Sequence, residues 1–251
     1  MEFTIDIREK HGLRTLHFDS CWTQGAMRIG LPWTLALEYT RVMMAALLLR
    51  DESRFPRNVL LIGLGAGSLA KFLYRHCPSA RITAVEIDAR VVEVARRHFE
   101  LPDDVQRLQV VIGDGAEFMR TTDQTYDLIM MDGFNERAHP GDLNTLPFYQ
   151  ACRARLDGQG LLAVNLIGLS PGVKGGFAHI EEAFDHRAVM FPRCGSGNSI
   201  AFAATGDKVD LALGELQERA RGLEARTGLA LLPVIRQLDD APECEGGRLG
   251  F

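Results

Sequence analysis

Residues 59–69 read VLLIGLGAGSL, an apolar run that passes directly into glycines at 63, 65 and 67. A buried run stopped by glycines and followed by an amphipathic stretch (67–76) restricts the chain to strand, tight turn and helix. The unit then recurs. RITAVEID precedes a helical pattern over 89–99, with Val91, Val92, Val94, Ala95 and Phe99 as its apolar positions. LQVVIGD and YDLIMMD follow as further strands, a helix is predicted over about 146–156, and GLLAVNLIG is the fifth strand. Continuous apolar strands alternating with amphipathic helices predict an α/β fold, a Rossmann-like parallel sheet covered on both faces. HRAVMFP and NSIAFAAT have no full helix between them and are expected to pair antiparallel at a sheet edge. A last helix is expected over 209–226, and the polar tail from Asp239 is expected to be irregular.

The first residues differ. EFTIDIR and LRTLHFD alternate with period two around a His11-Gly12 turn, and a third short segment runs through Trp22 and Met27. This predicts a small β-hairpin or meander over 1–31. From Pro32 to Arg50 apolar residues crowd every face, which predicts a buried helix with Pro32 near its first turn. The expected organisation is a small β element, 1–31, ahead of one larger Rossmann-like unit, 32–251.

Charge and cysteine usage narrow the partners. A net charge of −5 disfavours nucleic acid, whose binding depends on Lys and Arg, and suits a cationic substrate. The five cysteines (21, 77, 152, 194 and 244) stand singly without metal-ligand spacing. They read as reduced thiols, with no metal. No apolar run approaches ~18 residues and the N-terminus lacks a signal core, so no membrane partner and a cytoplasmic location are expected.

The glycines sit where the first parallel strand ends, the edge at which open α/β sheets bind ligands. Gly63, Gly65 and Gly67 are candidate points for close backbone approach. Glu86 stands about twenty residues farther on, at the adjacent strand's end, placed to accept from both hydroxyls of a ribose, with Ile87 beside it. Asp88 suits a helix cap. Asp114, followed by Gly115, either accepts from an adenine amino group or caps the helix starting near Ala116. The loop lacks the third glycine of the dinucleotide pattern, and the chain has no G-x-x-x-x-G-K-[ST]. An adenosyl sulfonium, S-adenosylmethionine or its decarboxylated form, fits this simpler loop.

From about Leu16 to Leu166 the chain resembles the spermidine synthase (polyamine aminopropyltransferase) family. Asp19 to Gln24 is similar to its D-G-x-x-Q segment with one extra residue, and Tyr39 falls where the family carries a substrate-facing tyrosine. Glu86-Ile87-Asp88, Gly113-Asp114-Gly115 and the run from Tyr126 to Asp132 match its E-I-D, G-D-G and Y-D-x-I-x-x-D motifs. The resemblance implies the class I S-adenosylmethionine-dependent methyltransferase-like fold and transfer of an aminopropyl group to a small-molecule amine. Asp132 would be the base, Tyr39 would orient the nitrogen, Gln24 would close over the sugar or sulfur side, and Asn135 would face the substrate. His139 is a second candidate proton carrier and 133–147 a candidate lid. A homodimer is the oligomer considered. Three positions depart from the family pattern. Ala66 replaces the acid of G-G-G-D-G-G, Asn135 replaces the second acid of D-S-S-D-P, and Asn165-Leu166-Ile167 lacks a glutamate. Ala66 favours the alternative of a methyltransferase using S-adenosylmethionine itself. A noncatalytic adenosyl-binding protein is the third reading.

Overall fold

The protein is described by a computed structural model over residues 4–19, 22–51, 53, 55–168, 170–239 and 244–251. Ser20 and Cys21, inside the Asp19-to-Gln24 motif, lie outside the described residues, and the other four cysteines are free thiols. Strands β1 (Ile5–Lys10), β2 (Leu13–Phe18) and β3 (Gly25–Arg28) form an antiparallel meander. His11 and Gly12 turn the first pair, both at positive φ. Helix α1 spans Glu38–Met43 and passes into a 3-10 segment, Met44–Leu48. The expected helix over 32–50 is therefore much shorter. Its start, Leu37, offers no side-chain cap, and Met43, Met44, Ala45 and Ala46 are fully buried, so packing on all sides decides the local geometry.

The main unit follows as β4 (Asn58–Ile62), α2 (Ser68–His76), β5 (Arg81–Glu86), α3 (Ala89–His98), β6 (Leu108–Ile112), α4 (Gly115–Thr121), β7 (Tyr126–Met131), α5 (Leu146–Arg155), β8 (Leu156–Leu166), α6 (Ser170–Ala183), β9 (Ala188–Met190) and β10 (Ser199–Ala204). The seven strands stand in the order β6-β5-β4-β7-β8-β10-β9. The first five are parallel, and β10 runs antiparallel to both β8 and β9. The reversal expected near the sheet edge is thus a hairpin-like pair, with β10 one strand in. The chain builds outward from β4 to β5 and β6, then crosses back to β7 on the other side of β4, a reversal of strand order that opens a crevice beyond its carboxyl end. Ile62, Met131 and Val164 are buried in the layer beneath it.

Two expectations are corrected at the C-terminus. The last long helix, α7 (Leu213–Thr227), starts after a short strand, β11 (Asp210–Ala212). Beyond α8 (Leu232–Arg236) the tail is not irregular: β12 (Cys244–Glu245) and β13 (Arg248–Gly250) form a sheet ordered β11-β13-β12. Leu249 and Phe251 bury two apolar side chains in an otherwise polar segment, enough to pin it. Helix α6, over a segment to which the sequence reading assigned no element, contains three glycines. It is held by burial of Val173, Ile180 and Ala183.

Candidate active site

A cavity of about 600 Å³ opens over the carboxyl ends of the parallel strands. The meander and α1 cover one side, and the segment after β7 walls the other. Gly63 takes φ +92°, and a β-carbon there would collide with the carbonyl of Asp132, so this turn requires glycine. Gly65 also lines the cavity. Gly67 does not. It caps α2 in the left-handed conformation, and a β-carbon there would lie 2.7 Å from Leu101, so this close packing requires glycine. The position of the absent family acid, Ala66, is buried against β3, where a β-carbon on Gly25 would be 2.5 Å from the Ala66 methyl.

Glu86 is buried, and its carboxylate accepts from the backbone N–H groups of Leu64 at 2.9 Å, Gly65 at 3.4 Å and Asp88 at 3.2 Å. Burial raises its pKa, and those N–H groups oppose the shift. The loop's donors are thus turned towards a protein carboxylate, so the loop is no phosphate cradle. Ile87 is exposed at the cavity wall. Asp88 caps α3 by accepting from Arg90 N–H, and Asp114 caps α4 by accepting from Glu117 N–H at 2.8 Å. Asp114 and Gly115 both line the cavity, so one Asp114 oxygen caps while the residue still faces the ligand space. Gln24 lines it from the meander.

Asp132 follows β7 directly. One oxygen accepts from the Tyr39 hydroxyl at 3.1 Å, the other from the Asn165 amide at 2.7 Å. Because a carboxylate only accepts, Asn165 must present its NH2 and is left with an oxygen, which accepts from Asn198 at 2.9 Å. Asn198 in turn accepts from the Ser196 hydroxyl at 2.7 Å. Every donor in this chain points towards Asp132, an arrangement in which each bond polarises the next. Burial pushes the Asp132 carboxyl up to about 6 despite these donors. The Tyr39 phenol is pushed up by burial and by Asp132.

Asn135 lines the cavity, but its side-chain oxygen accepts from the N–H groups of Arg137 and His139 at 2.9 Å each. What the side chain has left to offer is an NH2 donor. His139 lines the same wall, exposed. Glu38, Ser196 and Asn198 line the cavity without having been singled out in the sequence, where Glu38 adjoining Tyr39 was the available signal. Among the described lining residues five are carboxylates (Glu38, Glu86, Asp114, Asp132 and Asp142), and none is Lys or Arg.

Residues 37–165 match the Spermine/spermidine synthase domain. The chain is 31% identical, over 246 residues, to a polyamine aminopropyltransferase of Chromobacterium violaceum, covering 98% of this chain and 93% of that one. Among solved structures it is similar to a spermidine synthase in complex with the transition state analogue AdoDATO. That match has a TM-score of 0.67 and 25% identity, and covers 81% of this chain and 71% of that one. It is also similar to human methyltransferase-like protein 13 in complex with SAH, with a TM-score of 0.68 and 29% identity, covering 77% of this chain and 93% of that one. Among the described residues no helix is long and apolar enough to cross a membrane.

Proposed function

The chain belongs to the spermine/spermidine synthase family, and from that premise we propose that it transfers an aminopropyl group from decarboxylated S-adenosylmethionine to a small amine. The observation that carries the choice is the charge of the cavity: five carboxylates and no Lys or Arg among its described lining residues. A cationic sulfonium and a cationic amine suit that wall, whereas the carboxylate of intact S-adenosylmethionine finds no counter-ion there. Glu86 is read as the ribose acceptor, and Gly63, Gly65, Ile87, Asp114, Gly115 and Gln24 as the surrounding adenosyl contacts.

The sulfonium makes its neighbouring carbon electrophilic, and its sulfur leaves as a neutral thioether without needing a proton. The residues' work is therefore alignment and removal of one proton from the amine. The Tyr39 hydroxyl donates to Asp132, which leaves its lone pairs to accept an N–H of the acceptor. Asp132 takes the proton that frees the nitrogen lone pair, and a carboxyl near 6 is ionised at neutral pH yet more basic than an ordinary aspartate. Asn165 and Asn198 hold its orientation.

One observation favours methyl transfer: Ala66 removes the acid that would hold the amine of the decarboxylated form and repel a carboxylate. Calorimetry with each form of the cofactor separates the two readings. Tighter binding of the decarboxylated form supports aminopropyl transfer, and tighter binding of intact S-adenosylmethionine overturns it. Residues 1–31 are read as a separate cover on the catalytic unit 32–251, in a cytoplasmic homodimer that uses no metal.

A further inference from the structure

We propose that Lys71, outside the cavity, is a positioning residue that clamps the N-terminal cover onto the glycine loop and thereby sets the affinity for the adenosyl cofactor. This rests on the reading of the cavity as an adenosyl site. Lys71 lies in the first turn of α2 and is 2% exposed, the one buried Lys or Arg among the described residues. Its Nζ donates to the Phe99 carbonyl at 2.5 Å, the Pro32 carbonyl at 2.9 Å and the Met27 sulfur at 3.2 Å. An ammonium has three protons, and all three are placed. Burial lowers its pKa to about 8, against the pull of Glu100, so it carries all three at neutral pH. None of the three acceptors is a carboxylate, so the charge is buried at a desolvation cost that a methionine or leucine of similar volume would avoid. What the ammonium adds is direction, because three acceptors on three separate segments are met together in one arrangement.

The three segments meet behind the cavity wall. Met27 belongs to β3, which follows Gln24, and Pro32 stands on the segment that leads from β3 to α1 and Tyr39. Phe99 caps the end of α3, and the chain turns through Glu100 at φ +55° to bring Leu101 against Gly67. On its other side β3 touches the glycine loop backbone to backbone. A β-carbon on Gly65 would lie 3.0 Å from the Gln24 carbonyl, and one on Gly25 would lie 2.8 Å from the Ala66 nitrogen. Ser68 adds a second tie, its hydroxyl donating to the Ala26 carbonyl at 3.2 Å. Contacts this close leave no slack, so a shift of β3 carries Gln24 away from the loop that Glu86 holds. The apolar part of this interface is a small cluster of Leu16, Phe18, Met27, Ala66, Val91 and Phe99. Apolar burial holds the cover down but has no direction, and Lys71 supplies the fixed point.

The test measures methylthioadenosine binding by calorimetry, with kcat and KM for decarboxylated S-adenosylmethionine, in the wild type, Lys71→Met, Met27→Leu and Asp127→Asn. Lys71→Met keeps the volume and removes the donors, so Kd and the cofactor KM should rise roughly tenfold with kcat at saturation close to wild type. Met27→Leu removes one weak acceptor and should raise both about twofold to threefold. Asp127→Asn changes a carboxylate near the start of β7, away from the cavity, and is the control for lost stability alone. It should melt lower and leave Kd and KM unchanged. Thermal melts show which variants fold, and wild-type affinity in either folded variant of the clamp, or a loss confined to kcat, overturns the proposal. So does a rise in Asp127→Asn equal to that in Lys71→Met, because affinity would then follow stability. No methylthioadenosine binding by the wild type would overturn the adenosyl reading, and the clamp with it.

Discussion

Two aspartates at opposite ends of one strand, Asp127 near the start of β7 and Asp132 just past its end, have carboxyls that burial pushes to the same value, about 6. Their partners differ. Asp127 accepts from the backbone N–H groups of Arg57 at 2.5 Å and Asn58 at 3.1 Å, donors fixed at the entrance of the adjacent strand. Asp132 accepts from side chains that keep lone pairs of their own, at the wall of a cavity. The first arrangement stitches β4 to β7 and has nothing left to do. The second holds a carboxylate in place at the wall of an open cavity, the setting our proposal needs for a base. A displaced pKa therefore marks burial, and only the direction of the donors and the open space beside them mark chemistry.

The sharpest way to break this comparison is to neutralise each acid in turn. Asp132→Asn should lower kcat by about 10²–10⁴, the range for loss of a positioned base, with little change in melting temperature. Asp127→Asn should do the reverse, costing ~1–3 kcal/mol in urea unfolding because an amide NH2 meets backbone donors, with kcat close to wild type. A loss of turnover in Asp127→Asn matching that of Asp132→Asn would erase the distinction. Next in size, Glu86→Ala should weaken binding of the adenosyl ligand by ~1.5–3 kcal/mol in calorimetry, and unchanged affinity would place the ribose elsewhere.

Titration extends the contrast. Both carboxyls are raised from 3.8 to about 6, so between those values the folded chain holds protons that the unfolded chain releases. The contribution of these two groups to stability is therefore greatest below that window, falls as pH rises through it, and is flat above it. Asp127→Asn should remove part of that slope from urea unfolding measured across pH. If Asp132 is the base, as proposed, kcat/KM should fall below about pH 6 as its carboxylate becomes protonated. The smallest effect belongs to the supporting chain. Asn165→Ala removes a donor to the Asp132 carboxylate, and the acid limb of the pH profile should move upward by roughly 0.5–1 unit. A profile that does not move would make Asn165 a packing residue.

The parallel sheet and the strand-end positions of Gly63, Glu86, Asp114 and Asp132 along the cavity were legible because each depends on local pattern: an apolar run, a terminating glycine, an acid at the next strand's end. Gly67 shares the same spacing, which cannot reveal that Leu101 fills the place of its β-carbon. Asn135 was read from its position in a motif, while its role is set by two backbone N–H groups in its own turn. Glu38, Asn198 and Ser196 come from a short helix and a turn after β9, far apart in sequence, and only the packing of α1 against β8 and β10 brings them to one cavity. The paired tail strand escaped notice because two buried side chains, Leu249 and Phe251, are too few to form a period.

The most direct test of the account is to follow both possible products at once, supplying the wild type and Asp132→Asn with decarboxylated or intact S-adenosylmethionine and a panel of amines. The cavity's five carboxylates and the donors converging on Asp132 predict methylthioadenosine, formed only when an amine and the decarboxylated cofactor are both present and nearly abolished in Asp132→Asn. S-adenosylhomocysteine released from the intact cofactor, or methylthioadenosine formed undiminished by Asp132→Asn, would contradict it.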